Sequence, residues 1–135
     1  ARLDGLVAEH CYWYSRKLGG GPDPSPEERA GRPPAHHAMV HSCSGGTRKA
    51  LYIASHVSGI VGWKPEDARA FVDELMAFAT QPQFVFSYEW TVGDVVIWDN
   101  LATLHRATPF DDTHYRRDMR RSTCREAPVH AAAPI

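Results

Sequence analysis

Residues 65–80 carry the clearest hydrophobic rhythm in the chain: Ala68, Phe71, Val72, Leu75, Met76 and Ala79 recur at helical spacing behind Pro65, Glu66 and Asp67. Proline suits the first turn of a helix and carboxylates oppose the positive end of its dipole, so the pattern predicts a helix over 65–80. Leu3, Leu6, Val7, His10, Cys11 and Tyr14 repeat in a similar way. They predict an amphipathic helix over 3–17, packed on a sheet and ended by Gly19-Gly20-Gly21-Pro22. The prolines at 22, 24, 26, 33 and 34 make 22–37 a surface loop, with one helical turn at Pro26. Met39–His41 and Lys49–Ala54 are short β-prone runs on either side of Ser44-Gly45-Gly46-Thr47, the pattern of a hairpin.

Beyond the 65–80 segment the period changes from 3.6 to 2. Phe84, Phe86, Tyr88 and Trp90 alternate with Val85, Ser87 and Glu89, which predicts a strand with one face in a core. Val92-Gly93-Asp94 reads as a turn, Val95–Trp98 as a buried strand, and Asp99-Asn100 as another turn. Residues 115–124 alternate again. In such a strand Arg117, Met119 and Arg121 share one face while Arg116, Asp118 and Arg120 share the other.

A chain of 135 residues, 43% of them hydrophobic, fits one domain. The formal net charge of −1 argues against nucleic acid or an anionic membrane as a partner, because either calls for a concentrated basic face. Arginines are dense only late in the chain, at positions 106, 116, 117, 120, 121 and 125, where the plain reading is a solvated strand face. Three cysteines without C-x-x-C spacing suggest neither a disulfide framework nor a zinc ribbon, and point to reduced thiols in a cytoplasmic protein. No apolar run reaches the length of a membrane span, and no signal peptide is recognisable. The chain starts at Ala1 without a methionine, as a processed protein or a piece of a longer one would.

Among eight histidines, most have a bland reading. His36 and His37 are adjacent in the proline-rich stretch, His10 sits on the apolar stripe of 3–17, and His41, His56, His114 and His130 have no partner at a ligand-like spacing. His105 differs in its setting. It follows an apolar run, and Arg117 and Arg121 come a short loop later on one strand face. A neutral imidazole is a good ligand for iron(II), and a guanidinium holds a carboxylate in a fixed fork at any physiological pH.

The segments Arg48-Lys-Ala-Leu-Tyr-Ile, Ala79-Thr-Gln-Pro, Trp90-x-Val-Gly-Asp-Val-Val-Ile-Trp-Asp-Asn, Leu104-His-Arg-Ala and Arg116-Arg-Asp-Met-Arg-Arg-Ser-Thr, with Gly5-Leu-Val-Ala-Glu-His and Tyr14-Ser-Arg near the start, resemble one family. They are similar to the C-terminal half of the iron(II)- and 2-oxoglutarate-dependent dioxygenases that include taurine dioxygenase and 2,4-dichlorophenoxyacetate dioxygenase. The resemblance implies a mainly β fold with flanking helices, as part of a double-stranded β-helix of the cupin or jelly-roll kind. Residues 1–135 would then be the C-terminal part of a single dioxygenase domain.

By the same resemblance His105 would be the distal histidine of a two-histidine, one-carboxylate iron site, and Arg117 would hold the far carboxylate of 2-oxoglutarate, with Arg116 as the alternative anchor. Arg121 would bind the acidic group of the substrate or support the cosubstrate. The implied reaction consumes molecular oxygen, converts 2-oxoglutarate to succinate and hydroxylates a small anionic substrate of aryloxyalkanoate or sulfonate type. A homo-oligomer is compatible with the full-length protein. The family's first two iron ligands lie in an H-x-D or H-x-E motif, yet no histidine here is followed two positions later by a carboxylate. The chain alone is therefore expected to be inactive. A non-catalytic cupin-like module that binds a small anion is the alternative expectation.

Overall fold

The computed structural model describes residues 2–43 and 47–124. It separates into two units, Ala1–His105 and Arg106–Ile135. The described elements of the first unit run in the order β1 (Val7–His10), α1 (Tyr12–Leu18), α2 (Pro26–Gly31), β2 (Ala35–Ala38), β3 (Val40–Ser42), β4 (Lys49–Leu51), β5 (Val57–Ile60) and α3 (Pro65–Ala79), followed by a 3-10 turn at Pro82–Phe84. The described part of the second unit contains turns and extended chain, without a helix or strand. No helix among the described residues is long and apolar enough to cross a membrane.

The single helix expected over 3–17 is instead a strand followed by a helix. Val7–His10 becomes β1, the middle strand of a sheet ordered β2-β1-β5 and antiparallel to both neighbours. Over four residues a spacing of Leu6, Val7 and His10 suits either period, and ladder hydrogen bonds on both edges decide for the strand. Ala8 and His10 turn to the core and are buried, while Val7 and Glu9 are half-buried on the other face. The Glu9 carboxylate there accepts from the Ser58 hydroxyl at 2.6 Å and lies 3.7 Å from His36.

Helix formation resumes at Tyr12 and stops where the glycines predict. The Gly20 N–H donates to Lys17 O and the Gly21 N–H to Arg16 O, while Gly20 takes a left-handed φ of 77°. This is a Schellman cap, which satisfies carbonyls that the last turn leaves open. No atom lies within 4 Å of a Cβ built on Gly20, so alanine there meets only the backbone penalty. Gly20→Ala is expected to lower stability by about 1 kcal/mol in urea unfolding. An unchanged midpoint would mean that α1 does not depend on this cap.

The proline-rich loop is shorter than expected. Ser25 caps α2 by accepting from the Glu28 N–H, and the Glu28 carboxylate accepts in return from the Ser25 N–H, so the predicted turn extends to Gly31. His36 and His37 lie in β2 rather than in a loop, opposite Glu9 and Ala8 of β1. The predicted hairpin is present as β3 against β4, with Val40 opposite Leu51 and Ser42 opposite Lys49. Its glycines, Gly45 and Gly46, fall outside the described residues. Met39 joins the two sheets. Its N–H donates to Leu6 O beside β1, and its carbonyl accepts from Tyr52 N–H beyond β4.

Helix α3 matches its expected range to within a residue. Ala68, Phe71 and Val72 pack with Ala8, Met39, Ile53, Val57 and Ile60 in one buried cluster, flanked by Leu75 and Met76. Arg69 pairs with Asp73 one turn along and donates to the Tyr14 hydroxyl at 3.3 Å, tying α3 to α1.

The three strands expected between Phe84 and Cys124 do not form. Residues 85–124 contain turns but no strand or helix. Alternation marks two faces of a segment, but a strand also needs a ladder partner, and none of the described strands supplies one. The side chains meant for a core are therefore exposed: Phe86 by 85% and Ile97 by 92%. The first unit thus holds two small sheets, with α1 and α3 packed against β5, and ends in a stretch from Val85 to His105 without helix or strand.

Candidate functional site

The turns expected in the late segment are formed, and each is built by an aspartate. The Asp94 carboxylate accepts from the Thr91 N–H at 2.7 Å and from the Tyr88 hydroxyl at 3.0 Å, while Gly93 adopts the left-handed φ of 97° that the turn requires. These bonds, the Thr91 N–H foremost, hold the Asp94 carboxyl below the usual carboxylate range. Asp99 folds the next turn. Its carboxylate accepts from the Leu101 N–H at 2.8 Å, and its carbonyl accepts from the Thr103 N–H and hydroxyl.

That second turn sets the position of His105. It brings the His105 ring back to 5.0 Å from the Trp98 indole, whose N–H donates to the Asn100 amide oxygen at 2.8 Å. The imidazole is exposed and ends the first unit. Among the described residues no three histidine, cysteine, aspartate or glutamate side chains converge as a metal site. His105 is thus a single candidate ligand.

Arg116, Arg117 and Arg121 belong to the second unit. Asp111 organises its start, accepting from the Thr113 hydroxyl and N–H and pairing with His114 Nδ1 at 2.7 Å. The Thr113 hydroxyl is the leading cause that holds the Asp111 carboxyl below its ordinary value, with His114 second. The Arg117 guanidinium sits 5.5 Å from the Phe110 ring centroid, and its Nε donates to Met119 Sδ at 2.8 Å. Arg117 and Met119 therefore lie on the same side, as two-residue alternation expects, even without a ladder. Arg116 turns to Asp118 at 3.6 Å. Arg121 is exposed. The aromatic ring beside Arg117 offers its cation a cation–π contact.

The residues that sequence spacing passed over are histidines. His10, His37, His41 and His56 come from four different segments; the first three gather around Tyr52, with His41 and Tyr52 rings 4.7 Å apart, and His56 lies 5.0 Å from His10. Sheet register brings them together, so no local motif could have signalled the group.

The pattern of the family described as "Taurine catabolism dioxygenase TauD, TfdA family" matches residues 1–123. The chain is 40% identical over 131 residues to an alpha-ketoglutarate-dependent 2,4-dichlorophenoxyacetate dioxygenase of Burkholderia sp. (strain RASC), an alignment that covers 93% of this chain and 44% of that one. A putative alpha-ketoglutarate dependent 2,4-D dioxygenase from Burkholderia xenovorans superposes with a TM-score of 0.71 at 42% identity, over 75% of this chain and 39% of the other. The enzyme AAD-2, solved in complex with Mn(II) and N-oxalylglycine, superposes with a TM-score of 0.72 at 33% identity, over 75% and 40% of the two chains. The chain thus spans less than half the length of these relatives. With residues 1–123 matched and 40% identity to a named dioxygenase, the chain belongs to the TauD/TfdA family of 2-oxoglutarate-dependent dioxygenases.

Proposed function

We propose that this chain is the C-terminal part of a single-domain iron(II)- and 2-oxoglutarate-dependent dioxygenase that hydroxylates a small anionic substrate. The observation that carries the reading is the Trp90–Thr123 segment, with its Asp94 and Asp99 turns leading to His105 and the paired arginines, inside a region matched to the family. The relatives' names support an aryloxyalkanoate as the first substrate to test. A sulfonate is the second.

The described residues do not fit an iron centre by themselves, because His105 offers one imidazole and no second or third ligand accompanies it. In this reading the chain supplies one of three ligands, and an H-x-D or H-x-E motif elsewhere in the domain supplies the others. Arg117 anchors the far carboxylate of 2-oxoglutarate, and Arg121 receives the acidic group of the substrate or supports the cosubstrate. The exposed alternating run Phe84–Trp90 and the apolar run Val95–Trp98 support jelly-roll strands whose ladder partners come from the rest of the domain. The reaction couples decarboxylation of 2-oxoglutarate to succinate with oxygenation of the substrate. Its setting is the cytoplasm.

Succinate release tests the proposal. A full-length protein carrying this sequence, supplied with iron(II), oxygen, 2-oxoglutarate and an aryloxyacetate, should form succinate, whereas the 135-residue chain should form none. Binding of a small anion by the full-length protein without succinate formation with any aryloxyalkanoate or sulfonate would favour the non-catalytic module instead.

A further inference from the structure

Four imidazoles come together in the first unit: His10 is buried, His41 and His56 are half-buried, and His37 is exposed. His10 is the last residue of β1 and only 8% exposed. Its ring lies 5.4 Å from His37 on β2, 5.0 Å from His56 ahead of β5, and 5.2 Å from Tyr52 beyond β4. His41 on β3 joins through Tyr52 and His37. A pocket of about 380 Å³ opens beside them, lined by His10, His37, His56, Tyr52, Tyr12 and Ser15.

Two features set this group apart from an ordinary surface cluster. Neither ring nitrogen of His10 has a hydrogen-bond partner among the described residues, and neither does His41 Nε2. The rings that face His10 are those of His37, His56 and Tyr52, with His41 behind His37 and Tyr52 and with Tyr12 and Ser15 along the pocket, and no carboxylate is among them. Glu9, the nearest acid along the strand, points to the other face, where it is engaged by Ser58 and His36. Among the described residues no three possible ligand side chains converge as a metal site.

We propose that His10, set among His37, His41 and His56, is an acid-sensitive latch that holds the central strand β1 in place while its imidazole is neutral and releases the strand when it takes up a proton. A proton added to His10 gives a buried cation with two N–H donors and no acceptor among the described residues. The Tyr52 face offers some cation–π stabilisation, which is smaller than the cost of burial among like charges. Because β1 is bonded to both β2 and β5, loosening it opens the sheet against which α3 packs.

Burial, and then the neighbouring imidazoles His56, His37 and His41, push His10 down to about 4, and burial also lowers His56. A base depressed on folding takes up protons more readily when unfolded. Its contribution is therefore fully present above the unfolded value near 6.5 and is lost as the pH falls toward the folded value.

The test is urea unfolding of the 135-residue chain at pH 7, 6 and 5, followed by far-ultraviolet circular dichroism, for wild type and His10→Phe. The wild-type folding equilibrium constant should fall about twentyfold more than that of the variant between pH 7 and pH 5. Equal pH dependence of the two proteins would overturn the proposal. A nuclear magnetic resonance titration of the wild-type histidine rings gives an answer that does not require the variant to fold. A His10 ring still neutral at pH 5 supports the latch, and one that protonates near the ordinary value of about 6.5 refutes it.

Discussion

His105→Ala in the full-length protein is expected to abolish substrate-dependent succinate formation. The loss of a side chain that merely orients a metal ligand costs roughly 10- to 100-fold in metal affinity or activity, and removal of a ligand exceeds that, so a fall of at least about a thousandfold is expected. The variant should fold normally. His105 is exposed, touches only the Trp98 ring among the contacts described, and lies outside the buried cluster built around α3. Titration with iron(II) under anaerobic conditions, followed by the visible absorption that appears when 2-oxoglutarate is added, would separate loss of metal from loss of fold. Retention of both activity and iron binding in His105→Ala would remove this residue from the metal site.

Arg117→Ala is expected to act on the cosubstrate alone. Two charge-assisted hydrogen bonds to one carboxylate would be lost, each worth about 1.5–3 kcal/mol, so the 2-oxoglutarate requirement should rise by at least about a hundredfold. The substrate KM should move little. Arg117→Lys should recover only part of the loss, because an ammonium replaces the planar fork with a single charge. Arg116 faces Asp118 rather than the Phe110 and Met119 side, which makes Arg116→Ala the informative control. If that variant, and not Arg117→Ala, raises the 2-oxoglutarate requirement, the anchor shifts by one position. Arg121→Ala completes the set, with its effect expected on the anionic substrate.

The elements that were legible in the chain are those whose signal is local. Helix α3 announces itself through a full apolar stripe behind Pro65, Glu66 and Asp67, and the β3–β4 hairpin through two β-prone runs around its glycines. The turns at Asp94 and Asp99 also follow from residues within a few positions. Strand β1 was not legible. Its four residues satisfy a helical and an extended reading equally, and pairing with segments far along the chain decides between them. The late segment fails in the opposite sense. From Phe84 onward the alternation is clear, yet it describes how a strand would divide its faces, and this depends on partners that the described strands do not provide.

The same division applies to the candidate residues. His105, Arg117 and Arg121 stand out by their spacing along the sequence, which proposes a site without placing its members together. The imidazole group was not, because His10, His37, His41 and His56 become neighbours only through ladder register and the placement of Tyr52. Each of these histidines looks unremarkable when counted along the sequence.

Met39 couples the registers of the two sheets more tightly than their separate hydrogen-bond ladders suggest. The chain passes from β2 to β3 through this one buried residue, which donates to Leu6 on one side and accepts from Tyr52 on the other. A slip of one residue in either ladder would turn every side chain of the β2–Met39–β3 run to the opposite face. Met39 would then move outward and Ala38 or Val40 inward, and His37 and His41 would leave the Tyr52 side together. A single-residue insertion next to Met39 should therefore be far more damaging than an insertion of two, since only the even change preserves the alternation on both sides of the junction.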